Sequence, residues 1–296
     1  MRRGTYSIVA RDPATGELGV AVQSHWFSVG SIVSWAQPGI GAVATQSLAE
    51  PAYGARLLAR LAAGAEPTAA LDQLLGEDEG ARFRQVAVVD SQGRVGAHTG
   101  QGCIEYAGHH ESEGFSAQAN MMRSPEVWPA MAAAFESADG ALARRLLMAL
   151  DAAEAAGGDA RGRQSAALVV VAPDGEPWQR EVDLRVEDHP EPLAELRRLV
   201  DLHDAYELAT QGDDLVGDGR HEEAGQRYRE AEAAAPDNHE LLFWSGLALA
   251  QAGDLDEGVE RVRRAIELQP GWAELMPRLT LEIAPAAEAV RDRLGV

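Results

Sequence analysis

A layered α+β domain followed by an all-α helical-repeat domain is the architecture this sequence predicts, and three features predict it. Short Val- and Ala-rich strand patterns fill residues 5–186, interrupted twice by a pair of helical patterns. Two prolines, Pro190 and Pro192, then punctuate the chain. Beyond them the periodicity is helical and carries a repeat of 34 residues.

The first strand pattern is Gly4-Thr5-Tyr6-Ser7-Ile8-Val9-Ala10, and the second is Leu18-Gly19-Val20-Ala21-Val22-Gln23-Ser24. Between them Asp12-Pro13-Ala14-Thr15-Gly16 is a polar turn, so the pair reads as a hairpin with strands over 5–10 and 18–24. Residues 39–47 supply a further strand. Its ending, Gln46-Ser47, repeats the Gln23-Ser24 ending of the second strand. Polar residues at strand ends let a sheet present chemistry while its middle stays apolar.

Apolar positions at helical spacing predict helices over 52–63 and 68–76, separated by Gly64 and Pro67. A hairpin follows over 83–89 and 94–98, turning at Asp90-Ser91-Gln92-Gly93. A short strand is expected near 115–119, helices over 125–136 and 139–155, and strands over 166–172 and 180–186. This order suits helices covering the faces of a largely antiparallel sheet, and it lacks the regular β-α alternation of a doubly wound fold. No glycine-rich loop has the strand-to-helix spacing of a dinucleotide or triphosphate site, so NAD and ATP are not expected and no cofactor is assigned.

The formal charge of −21 arises from 47 acidic residues against 26 basic ones, and every basic residue is Arg. A field of that sign opposes nucleic acid and anionic membrane surfaces as partners. The single cysteine, Cys103, excludes an intrachain disulfide framework and a cysteine-rich metal site, and it is compatible with the expected cytoplasmic location. No run of roughly 18 apolar residues occurs, so neither an attached signal peptide nor a membrane span is expected. His25, His98, His109 and His110, with Glu105 and Asp159, are residue types that can ligate a metal. Neither His109-His110 nor Cys103 supplies a recognised spacing, and no metal site is assigned.

From Leu193-Ala194-Glu195-Leu196 onward the chain is helical in pattern, which sets a predicted domain division of 1–190 and 191–296. Residues 187–296 hold 25 acidic and 11 basic residues, a balance of −14. Gly212, Gly219, Ala224, Ala231 and Pro236 recur 34 residues later as Gly246, Gly253, Gly258, Ala265 and Pro270. Small residues at that period allow close helix crossings. The pattern resembles tetratricopeptide repeats, with units at about 203–236 and 239–270, and with 193–201 and 272–294 as caps. Phe243 and Trp244 read either as core or as walls of a peptide groove. The repeats imply a protein or peptide partner, and a homo-oligomer is expected.

Thr5 is the leading chemical candidate. With residues 1–4 removed it has both a hydroxyl and a free α-amine, and the amine, with a reference pKa near 8, is the base a neutral hydroxyl needs. The competing reading is a β-branched residue that simply starts a strand.

Several blocks together are specific. They include Thr5-Tyr6-Ser7-Ile8-Val9-Ala10-Arg11-Asp12, Gly19-Val20-Ala21-Val22-Gln23-Ser24, Gly41-Ala42-Val43-Ala44-Thr45-Gln46-Ser47 and Pro51-Ala52-Tyr53-Gly54. Further along come His98-Thr99-Gly100, Ala107-Gly108-His109, Gln118-Ala119-Asn120-Met121 and the run from Gly158 to Ala166. In these blocks residues 5–190 resemble the bacterial and archaeal domain-of-unknown-function family 1028.

That resemblance implies a four-layer αββα sandwich of N-terminal-nucleophile-hydrolase type, without establishing a reaction. Members commonly begin with Met directly before the equivalent of Thr5, whereas here Met1-Arg2-Arg3-Gly4 intervenes. The start is then misassigned, the Gly4–Thr5 bond is processed, or the domain is not this kind of enzyme. Many threonine hydrolases of the broader fold use a nearby lysine, and this chain has none. Arginine is a poor substitute as a base.

The expected activity is hydrolysis of a small amide or peptide. Thr5 would be the nucleophile, with Gln23, Ser24, Gln46 or Ser47 donating to the oxyanion. Asn120 and Asp159 join them as candidate substrate contacts. Arg161 and Arg163 are a candidate clamp for an anionic substrate, although the segment 157–165 also reads as a solvated turn. The alternative is a non-enzymatic binding or assembly protein that retains a hydrolase-like scaffold.

Overall fold

The computed structural model describes residues 4–295; Met1, Arg2 and Arg3, whose removal together with Gly4 would expose Thr5, and Val296 lie outside the described residues. The N-terminal region runs β1 (Thr5–Arg11), β2 (Leu18–Ser24), α1 (Gly30–Val33), β3 (Ser34–Gln37), β4 (Gly41–Ser47), α2 (Ala52–Ala62) and α3 (Pro67–Glu77). It continues through β5 (Arg84–Asp90), β6 (Val95–Thr99), β7 (Gly108–Ser112), β8 (Phe115–Asn120), α4 (Val127–Ser137), α5 (Leu142–Ala155), β9 (Ser165–Val171) and β10 (Val182–Val186).

The strands form two antiparallel sheets, of order β10-β9-β2-β1-β8-β7 and β3-β4-β5-β6. β1 and β2 are neighbours at the centre of the larger sheet, as the hairpin pattern predicts. The two-residue alternation of side chains then separates three apolar layers. Tyr6, Ile8 and Ala10 pack with Phe115, Leu146 and Leu150 beneath α4 and α5. On the opposite face Val9, Val20 and Val22 meet Ala42, Ala44 and Ala87 of the smaller sheet. Val43, Val86 and Val88 in turn pack with Tyr53, Leu57, Leu71 and Leu74 of α2 and α3. Helix pair, sheet, sheet and helix pair therefore stack in that order.

Close approach between α2 and β3 needs a residue without a side chain at Gly54, where a β-carbon would fall 2.2 Å from the Trp35 ring. Two strands escape the sequence pattern. β3 has only four residues, and β7 (Gly108-His109-His110-Glu111-Ser112) is a partly exposed edge that lacks apolar alternation. It is a strand because β8 supplies its ladder partner.

The chain divides into compact units at Val200 and Asp201, inside the helix α6 (Pro192–Gly217). The reason is local: Leu193, Leu196 and Val200 belong to the same core as Tyr6 and Leu146. The second unit continues with α7 (His221–Ala234), α8 (His239–Gln251), α9 (Leu255–Leu268), α10 (Gly271–Leu275) and α11 (Ala287–Leu294). Asn238 caps α8 by accepting from the amides of Glu240 and Leu241 at 3.0 Å each. Phe243 is fully buried and stacks on Trp272 with ring centroids 4.3 Å apart, and Trp244 meets Phe243 edge-on at 5.1 Å. Phe243 is thus core, whereas Trp244 is half-buried and lines a pocket of about 390 Å³ with Val216, Leu247 and Ile283. No helix among the described residues is long and apolar enough to cross a membrane.

Candidate active site

Strand register gathers the site. Thr5 pairs with Ser24 on β2 and with Asn120 on β8, so the three side chains share the face that looks toward the smaller sheet. β4 brings Gln46 and β5 brings Gln85 from that sheet. All of these residues, and Ser7 and Gln118 behind them, are at most 1% exposed.

Burying so many amides is costly unless each finds partners, and these find one another. Gln46 Nε2 donates to the Thr5 carbonyl oxygen at 3.1 Å and to Gln85 Oε1 at 2.8 Å. Asn120 Nδ2 donates to the same Gln85 oxygen at 2.9 Å and reaches the Thr5 carbonyl at 3.4 Å. Gln85 Nε2 donates to Thr99 Oγ1 at 2.9 Å and to the carbonyls of Gly108 and Ala119. Ser7 Oγ donates to Gln46 Oε1 at 2.7 Å, and Gln118 Nε2 donates to Ser7 Oγ at 3.2 Å. The network fixes the backbone of Thr5 from both sheets.

In front of this network lies the peptide bond between Gly4 and Thr5. Thr5 Oγ1 donates to Ser24 Oγ at 3.0 Å, and Ser24 Oγ donates to the Gly4 carbonyl oxygen at 2.5 Å. Arg161 Nη2 donates to that same oxygen at 2.7 Å. Two donors, one of them cationic, therefore converge on the carbonyl that precedes Thr5.

Asp159 aims Arg161. Its Oδ1 accepts from the Arg161 backbone amide at 2.9 Å and from Nε at 3.1 Å, while Oδ2 accepts from Nη2 at 2.8 Å. The His25 amide adds a further bond to Oδ2 at 3.2 Å. The Asp159 side chain has no solvent exposure, and Gly158, with φ +58°, supplies the left-handed turn that delivers it.

Other sequence candidates lie elsewhere. Gln23 is in register with Tyr6 and so faces α4 and α5, where neither atom of its amide has a hydrogen-bond partner. Arg163 pairs with Glu154 at 2.8 Å and with Glu191, and Glu154 also accepts from the Tyr6 hydroxyl at 2.7 Å. Burial, followed by the charge of Glu154, pushes the Tyr6 phenol well above its ordinary pKa. Ser47 adopts φ +69° and, with Leu48, Phe83, Gly102 and Ile104, lines a pocket of about 100 Å³. Burial also pushes the Cys103 thiol up, away from the thiolate form.

The histidines take separate hydrogen-bond partners. His98 Nε2 meets the Ala81 carbonyl at 3.0 Å, His25 Nδ1 meets the Arg163 carbonyl at 3.2 Å, and His109 Nδ1 meets Thr99 Oγ1 at 2.8 Å. Among the described residues no group of three His, Cys, Asp or Glu side chains could hold a metal ion.

Gln85, Gln118 and Ser7 are the site residues that the sequence reading misses: Ser7 and Gln118 lie inside β1 and β8, and Gln85, second in β5, has no Gln-Ser ending to mark it. The available signal is chemical: an amide set among Val and Ala in a buried strand demands a partner.

Comparison with known proteins adds a family. The model of a family of unknown function, DUF1028, matches residues 5–196, and a tetratricopeptide repeat model matches residues 210–271. The crystal structure of a DUF1028 protein from Silicibacter pomeroyi is 34% identical and superposes with a TM-score of 0.61, covering 67% of this chain and 88% of that one. Anbu (ancestral beta-subunit) from Yersinia bercovieri also aligns, at 12% identity and a TM-score of 0.32, covering 65% of this chain and 91% of that one. No curated protein matches. With the family model spanning most of the chain and a relative at 34% identity, this chain belongs to the DUF1028 family.

Proposed function

We propose that the N-terminal unit is an N-terminal-nucleophile amidohydrolase acting on a small amide or peptide, with Thr5 as nucleophile once residues 1–4 are removed. One observation carries this reading: Ser24 Oγ and Arg161 Nη2 both donate to the carbonyl oxygen of Gly4, the group Thr5 must attack to free its own amine. Such donors stabilise the charge that develops on a carbonyl oxygen during attack. The stacking of two helix pairs around two sheets also agrees with a four-layer sandwich of this type.

Processing begins when Thr5 Oγ1 bonds to the Gly4 carbonyl carbon. The carbon–nitrogen bond then breaks, and the Thr5 nitrogen takes up the hydroxyl proton. Water cleaves the resulting ester and leaves Thr5 with a free hydroxyl and a free amine. In turnover the amine accepts the hydroxyl proton, and Ser24 and Arg161 donate to the substrate carbonyl. Asp159 holds Arg161 in position. The helical repeats provide assembly or partner binding.

A second reading, a binding protein on a hydrolase-like scaffold, is favoured by the complete burial of Thr5 in the chain with Gly4 present. Intact mass and N-terminal sequencing of untagged protein from its native host separate the two. A Thr5 start supports the hydrolase; retention of Met1 through Gly4 in all of the protein supports the binding scaffold.

A further inference from the structure

Gly4 lies against Asp159 so closely that an L side chain before Thr5 fits only if Asp159 is displaced. A side-chain carbon at position 4 would fall 2.8 Å from each carboxylate oxygen of Asp159 and 2.9 Å from its Cγ. The carboxylate cannot yield, because it accepts from the His25 amide and three times from Arg161, and its backbone bridges to Met122. It has no solvent-facing direction to move into. Shifting it also moves Arg161, which is one of the two donors on the Gly4 carbonyl.

This constraint extends from the chain's own Gly4 to its substrate. Attack on Gly4 and attack on a substrate both produce an ester on Thr5 Oγ1, and the same two donors face the carbonyl oxygen in each case. The acyl α-carbon of the substrate therefore occupies the place of the Gly4 α-carbon, with Asp159 against it. Resting on the reading of Thr5 as nucleophile, we infer that Asp159 is a specificity-determining residue and that the acyl subsite takes glycyl groups and excludes L-aminoacyl groups. In the reaction Thr5 Oγ1 bonds to the glycyl carbonyl carbon, the carbon–nitrogen bond breaks, and the departing amine takes the hydroxyl proton through the Thr5 amine. Water then cleaves the glycyl ester, giving glycine or a peptide ending in glycine and restoring the hydroxyl.

The test uses the full chain without residues 1–4, expressed from a start codon before Thr5, with methionine removal verified by intact mass. Glycyl-p-nitroanilide and L-alanyl-p-nitroanilide are compared, with Thr5→Ala as the blank. The expected result is Thr5-dependent release from the glycyl compound at about tenfold or more the kcat/KM of the alanyl one, the scale on which one carbon is discriminated. Thr5-dependent release from the alanyl compound at an equal or greater rate overturns the subsite and leaves the nucleophile standing. Release from neither compound overturns both. In the unprocessed chain Gly4→Ala provides an independent measure: conversion to a Thr5 start, followed by intact mass, slows by about tenfold or more. Cleavage at the parental rate overturns the inference.

Discussion

Asn120 Nδ2 and Gln46 Nε2, from opposite sheets, donate to the single side-chain oxygen of Gln85, at 2.9 Å and 2.8 Å. Both donors also reach the Thr5 carbonyl, so Gln85 joins the two sheets directly behind the candidate nucleophile. A buried amide with this many partners is irreplaceable by an apolar residue of similar size. Gln85→Leu leaves Asn120, Gln46 and the carbonyls of Gly108 and Ala119 each short of one partner. The expected loss is about 3 kcal/mol, on the scale of one buried polar group left unsatisfied. Hydrogen exchange read peptide by peptide locates it, with protection falling across β1, β5 and β8 together. Unchanged protection in β1 would show that the network is not what holds Thr5.

Ser24 is the neutral member of the donor pair on Gly4, and it also accepts from Thr5 Oγ1. Ser24→Ala removes a donor without adding volume, while Arg161 remains in place. Loss of one oxyanion donor slows attack by roughly 10²–10³-fold, and conversion to a Thr5 start is expected to slow by that factor in Ser24→Ala. Timed intact-mass measurements decide the matter. Cleavage of the variant at the parental rate excludes Ser24 as a donor in the reaction.

These two residues show what a sequence can and cannot disclose about the site. Ser24 is legible because the alternation of β2 is readable from its valines, and because a polar ending on an apolar strand stands out. Gln23 stands out equally, yet one step of register turns it to the opposite face, toward α5. Adjacent strand residues always divide this way. Gln85 belongs to the site only because the second sheet packs face to face with the first, a tertiary fact that no local pattern carries. Arg161 and Arg163 have the same composition and nearly the same position, but Asp159 claims one and Glu154 the other. The fold itself was more legible: hairpins, helix pairs and the repeat of 34 follow from periodicity, whereas β7 depends on pairing with β8 alone.

In the helical unit the repeat glycines make a sharper prediction. Gly246 on α8 and Gly258 on α9 touch backbone to backbone: a β-carbon at Gly246 would fall 2.8 Å from the Gly258 carbonyl and 2.9 Å from Val262 Cγ2. Gly246→Ala gains about 1 kcal/mol of helix propensity. Overpacking costs about 1–3 kcal/mol, and here the upper end applies because a backbone carbonyl must move. The helical unit is therefore destabilised. Gly217, at the end of α6, has nothing within 4 Å of such a carbon, so Gly217→Ala is expected to stabilise by propensity alone. Opposite shifts in the melting of α8 and α9, followed by hydrogen exchange, support the close crossing. A stabilised Gly246→Ala rejects it.

His109 ties the buried network to pH. Its Nδ1 lies 2.8 Å from Thr99 Oγ1, which already accepts from Gln85 Nε2. The hydroxyl proton of Thr99 is thus available to a neutral imidazole, while a protonated one forces Thr99 to accept twice and turn its proton elsewhere. Burial lowers the His109 pKa below its ordinary value near 6.5, Glu111 pulls it back up, and His98 and His110 push it further down. The sign follows: between the folded pKa and 6.5 the unfolded chain binds more protons than the folded one, so stability falls as pH drops below about 6.5. The loss is complete once pH is below the folded value. His109→Asn keeps a polar atom near the position of Nδ1 and cannot titrate. Melting temperatures measured from pH 7.5 down to pH 5 are expected to fall less steeply in His109→Asn than in the parent. Equal slopes would assign the acid sensitivity to other groups and leave Thr99 free of any titrating partner.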